Sequence, residues 1–223
     1  MKQILYTFLI AITLTSCEPP APAKDTAVAE ATTSQADAPA TEALDANLEE
    51  IASNEALITT ALMAAPEASR AGAKVIGYNM AGEFVTLKEG TNEFICLADD
   101  PRKDGFSAAC YHQDLEPFMA RGRALKAEGK NAYDVFDIRE EEVKAGKLSM
   151  GKSGKTLHIY FGQDTAYNPE TGEVKGAKYR YVVYMPFATA ASTGLPESPI
   201  APNHPWIMDP GTHRAHIMIS PLE

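Results

Sequence analysis

The chain has 223 residues, with 30 acidic against 20 basic side chains and a formal net charge of −10. So acidic a balance disfavours nucleic acid and anionic headgroups as partners. Its 45% hydrophobic and 22% charged composition suits a globular chain with one core, and excludes collagen-like or wholly disordered classes.

The sequence opens MKQILYTFLIAITLTSC. Lys2 supplies a positive start, residues 4–14 an apolar run, and Leu14, Thr15, Ser16 and Cys17 a small-residue cleavage site. The run is too short to span a bilayer of roughly 30 Å, so it reads as a targeting segment. It resembles the signal of bacterial lipoproteins. The resemblance implies cleavage before Cys17, a diacylglyceryl thioether on its sulfur and a fatty acyl group such as palmitate on the new amine. Residues 1–16 are then a signal peptide, and the protein is anchored in the cell envelope with its domain on an extracytoplasmic side, as in a periplasm. Each buried acyl methylene contributes about 0.8 kcal/mol, so two or three chains hold a domain at a membrane without a spanning helix. Residues 18–41 are Ala, Pro, Thr and acid without an aromatic residue; such a segment buries too little apolar surface to offset its ordering entropy. With Cys17 they form a tether reaching roughly 25 to 30 Å.

Residues 42–223 read as one α+β domain: a mainly antiparallel sheet, packed helices and a long Pro-rich loop near the C-terminus. Leu44, Leu48, Ile51, Ile58 and Leu62 recur at helical spacing until Pro66, predicting a first helix with one apolar stripe. Four strands follow at 74–79, 83–88, 93–98 and 106–112, separated by turn signals, with an antiparallel meander as the simplest arrangement. Asp114 as N-cap, Glu116 and Pro117 open a helix running to about Glu128. A second helix is expected after Asp137, with Glu140 completing a capping box and Gly146 ending it. Strands at 156–162, 178–187 and 213–220 complete the sheet, with a turn at 168–172. The connection 188–211 carries Pro196, Pro199, Pro202, Pro205 and Pro210, and loops of that length in compact domains often carry function.

Residues 146–153, GKLSMGKS, fit the phosphate-loop pattern. That motif works when a strand delivers the glycines to a helix N-terminus. Here a helix precedes and a strand follows, so the segment reads as punctuation and no nucleotide is expected. Cys96 and Cys110 are an even pair in an exported chain. A disulfide between them would close a loop of about 15 residues and contribute roughly 3 kcal/mol. The rival reading places Cys110 beside His112 as an activated nucleophile. His213 and His216 form H-x-x-H, but on a strand they point to opposite faces, so no metal is expected. The stretch 201–216 gathers the only Trp with His204, Asp209 and His213 between prolines. Trp206 offers a stacking surface for a ligand, or else plugs the end of the core. Arg121, Arg123, Lys126 and Lys130 give one helix a basic face, read as solvated surface with an anion or partner site as the alternative. G-x-S-x-G, H-E-x-x-H and C-x-x-C are absent from the sequence.

These residues point to a lipid-anchored envelope protein without a cofactor. Its folded part is expected to bind a small ligand or an envelope protein through Trp206, His204, Asp209 and His213, without catalysis. The alternative is an envelope hydrolase, possibly metal-dependent, using His204, Asp209 and His213.

Overall fold

A computed structural model describes residues 47–220. The signal segment, Cys17, the tether and Leu44 lie outside the described residues. Strand β1 (Glu49–Glu50) and helix α1 (Asn54–Leu62) occupy the stretch where one continuous helix was expected. The Ser53 hydroxyl accepts from the Ala56 N–H at 3.1 Å and starts the helix there, because an N-cap satisfies donors that a helix passing through Ser53 would leave elsewhere. Ile51, Ile58 and Leu62 still pack on the core, and Leu57 and Ala61 are fully buried.

The main sheet has eight strands: β2 (Lys74–Tyr78), β3 (Phe84–Lys88), β4 (Phe94–Leu97), β5 (Phe106–His112), β6 (Lys155–Gly162), β8 (Lys178–Tyr184), β9 (Trp206–Met208) and β10 (His216–Ile219). Strand β7 (Ala166–Tyr167) pairs with β1 in a separate ribbon. The order is β3-β2-β4-β5-β6-β8-β10-β9. The expected meander is corrected at one place: β4 does not follow β3 outward but returns to the other side of β2 and pairs with it in parallel, Val75 opposite Cys96. The return is held by Thr91 and Asn92 N–H groups donating to Gly72 O at 2.7 and 3.2 Å. It needs Gly90, where a Cβ would lie 2.4 Å from the Lys74 nitrogen. All other neighbours are antiparallel.

Strand alternation sends Cys96, Ala108, Cys110 and Tyr160 to the face covered by α1, and Tyr111, Leu157, Val182 and Met218 to the opposite face. Helices α2 (Glu116–Ala127) and α3 (Ala132–Lys144) are joined by residues 128–131 and supply the apolar cover of that second face. Cys96 and Cys110 are directly opposed on β4 and β5, both fully buried, with their sulfurs at disulfide distance.

Both long helices begin differently from the sequence expectation. A 3-10 turn, Gln113–Leu115, precedes α2, and the His112 Nδ1 accepts from the Asp114 N–H at 3.1 Å. Asp114 instead pairs with Lys155 at 2.9 Å. Helix α3 starts before Asp137, because Asn131 and Asp134 form an earlier capping box; Asp137 is left exposed. Its end falls where expected. Gly146 adopts φ 67°, and the N–H groups of Gly146 and Lys147 donate back to Val143 O and Glu142 O. GKLSMGKS thus runs from a helix C-terminus into β6.

The C-terminal strands are shorter than expected. Strand β8 ends at Tyr184 and β10 begins at His216. A turn joins β9 to β10, in which Asp209 takes φ 51° and Thr212 Oγ1 donates to Asp209 O at 2.8 Å. His213 therefore sits in the turn, not on the strand. Within the Pro-rich connection, α4 (Ala190–Thr193) is capped by Thr189 and closed by Gly194.

Candidate functional site

The four residues singled out in the C-terminal stretch have separate surroundings. Trp206 is half-buried on β9, opposite Met218, and packs on the core beneath α2 and α3. His204 lies in the preceding turn, its backbone N–H donating to Ala201 O, with its Nδ1 enclosed and unpartnered. Asp209 accepts from the Arg214 Nε at 2.8 Å. His213 is fully buried, 3.0 Å from Glu140 through Nδ1, with its ring edge-on to Phe118 and Phe136. Burial holds this imidazole below its usual pKa, against the pull of Glu140. The His213–Glu140 pair has the form of an oriented base, yet among the described residues its Nε2 has no hydrogen-bond partner. Among the described residues no three His, Cys, Asp or Glu side chains converge as a metal site would require.

A different set of side chains surrounds empty space. Where α2 crosses the sheet, a cavity of about 260 Å³ is bordered by Leu97, Tyr111, Phe118, Val135, Arg139 and Tyr184. It adjoins a second of about 510 Å³ that extends to Tyr78, Phe84 and Arg102, and the two share Leu97, Arg123 and Lys126. They form one groove along α2. An open depression of about 610 Å³ lies elsewhere, beside Asp114, Glu116, Ser149 and Gly151. Its charged lining is acidic, which suits neither phosphate nor another anion.

The inner end of the groove is built on a close approach of α2 to α3. A Cβ at Gly122 would lie 2.9 Å from the Arg139 Nη1, so the glycine makes room for the guanidinium. The Phe118 ring lies under it at 3.9 Å, and Nη1 donates to Phe118 O at 3.3 Å. Arg139 is only 8% exposed, its Nε is enclosed without a partner, and no carboxylate of the described residues pairs with it. Burial pulls its pKa down to about 10. The three neighbouring arginines are already matched. Arg123 pairs with Glu116 and donates to the Tyr111 hydroxyl at 3.1 Å. Arg214 is held by Asp209, and Arg121 by Glu142 at 2.8 to 3.0 Å. Burial, then the Glu116 hydrogen bond, pushes the Tyr111 phenol well above its ordinary range, and burial also raises that of Tyr184. The Tyr111 hydroxyl donates to Glu116 at 2.5 Å.

Sequence reasoning placed Arg123 and Lys126 on one basic face but missed Arg139. The signal was present: Val135, Arg139 and Val143 are four apart, so an arginine occupies the middle of a buried helical stripe. Asp209 and His213 stand behind this wall of the groove, the first by holding Arg214 and the second by packing on Phe118. Comparison with protein-family models, with curated proteins and with solved structures finds no match.

Proposed function

We propose that this chain is a lipid-anchored protein of the bacterial cell envelope whose folded domain binds a small ligand, without transforming it, in the groove along α2. The observation that carries the binding reading is the pair of adjoining cavities, about 510 and 260 Å³, with mostly apolar walls and a few converging polar groups. Pockets of that kind are the usual small-molecule sites of globular domains. The partners already taken by Asp209 and His213 favour binding over hydrolysis, because a general base needs a reachable proton and His213 has no exposed surface. The segment ending at Cys17 supports the anchor.

Two experiments test the reading. Cys17→Ala should move the protein out of the lipidated, membrane-bound fraction; unchanged acylation would remove the anchor. In a fragment screen followed by methyl NMR, binders should shift Leu97, Met119 and Leu157. Binders that gather at Trp206 while the groove is silent, or turnover of any bound compound, would reject the groove as a non-catalytic binding site.

A further inference from the structure

We propose that the ligand of this groove is a small organic carboxylate with an apolar body, its oxygens accepting hydrogen bonds from the buried guanidinium of Arg139. The inference rests on the groove being the binding site and adds the chemical class of what it holds.

A guanidinium carries five N–H donors. Among the described residues Arg139 makes one hydrogen bond, the 3.3 Å contact from Nη1 to Phe118 O, and its Nε is enclosed without a partner. The group is nonetheless buried and lines the inner cavity. Enclosing an unpaired cation is unfavourable, and natural cores place charges there only when paired or hydrogen-bonded. Gly122 on α2 leaves the clearance that the guanidinium occupies, since a Cβ there would lie 2.9 Å from Nη1. A cation kept buried, with room made for it and without a counter-charge, faces a cavity that can admit one.

The surroundings narrow the anion. Glu142, the carboxylate whose charge acts on Arg139, is bound to Arg121. Arg123 and Arg214 have their own carboxylates. Arg139 is then the one buried cation of the groove without a carboxylate among the described residues, and Lys126, also unpaired, lies exposed at the mouth, so the inner end matches a single negative charge. A planar carboxylate also fits the planar fork of arginine. The rest of the inner wall, Leu97, Phe118, Val135 and Leu157 with the faces of Tyr111 and Tyr184, is apolar or aromatic, so the body behind the carboxylate is apolar. Exposed Lys126 at the shared mouth would draw anions inward in a chain that is otherwise acidic.

The test uses the full chain in lipid nanodiscs, with empty discs as the blank. The probes are 3-phenylpropionate, its neutral amide and 2-phenylethylphosphonate. Binding is read from the methyl resonances of Leu97, Met119 and Leu157, and folding from thermal unfolding. The expected result is that 3-phenylpropionate shifts these methyls, the amide binds at least tenfold more weakly, and Arg139→Met and Arg139→Gln each erase that preference while unfolding stays cooperative. Equal binding of amide and carboxylate, a preference that survives both substitutions, or tighter binding of the phosphonate would each overturn the carboxylate and leave the groove standing. Failure of every probe, charged or neutral, to shift the methyls would overturn the groove itself.

Discussion

Replacing Arg139 with methionine separates a ligand anchor from a structural tie. Burial pulls the pKa of this arginine well below its ordinary value, to about 10. At about 1.4 kcal/mol per unit, the charged form is disfavoured in the folded chain by about 3 kcal/mol. Methionine removes that penalty and keeps an apolar stem against Phe118 and Val135. Against the gain stand one hydrogen bond to a charged donor, worth about 1.5 to 3 kcal/mol, and the 3.9 Å cation–π contact with Phe118, worth about 1 kcal/mol. The terms nearly cancel, so Arg139→Met should change stability by no more than about 1 kcal/mol, or about 2 to 4 °C in Tm for a domain of this size. Urea unfolding followed by circular dichroism, with m unchanged, measures this directly. A loss of 3 kcal/mol or more would refute the reasoning. It would mean that Phe118 O and the aromatic ring already compensate the charge, and that no anion is missing.

Gly122→Ala should gain up to about 1 kcal/mol from helix propensity while its Cβ displaces the Arg139 Nη1, 2.9 Å away; unfolding and probe titration together should show normal stability with weakened carboxylate binding. Leu57→Ala, at a site with no exposed surface, should cost about 2 to 5 kcal/mol in urea unfolding, and a cost under 1 kcal/mol would contradict the packing of α1 on the sheet. Reducing the Cys96 and Cys110 pair should cost about 3 kcal/mol; thiol counting that finds both free in the unreduced protein would remove the link. The imidazoles of His158, His213 and His216 are all held below their ordinary pKa, chiefly by burial. The unfolded chain then binds more protons near and below pH 6.5, so their part of the stability is present above that pH and is lost as it falls. His213→Gln should flatten the decline between pH 7 and 5, and an unchanged slope would show that His213 does not contribute to it.

Signals that act over a few residues were legible in the sequence. Apolar alternation marked the strands, Gly146 marked the end of α3, and the two cysteines suggested their own pairing. Where two local signals competed, the reading chose badly: Asn131 with Asp134 caps α3, not Asp137 with Glu140, and Ser53 breaks a stripe that looked continuous. Both sites follow ordinary capping chemistry, but capping patterns recur by chance and only packing selects among them.

The groove was not legible, since it depends on contacts across distances that periodicity does not sense. Phe118 and Arg139 are 21 residues apart, and Gly122 matters only because α2 lies against α3. The parallel pairing of β2 with β4 is set by the backbone crossing at Gly90 and Gly72, and Asp209 becomes the partner of Arg214 through a turn with φ 51°. By itself the sequence determined the α+β class and most of the elements, because hydrophobic period and turn chemistry are local. Strand order, the capping choice and the burial of one arginine without a counter-charge were decided by tertiary structure, because burial is a property of what the rest of the chain places around a residue.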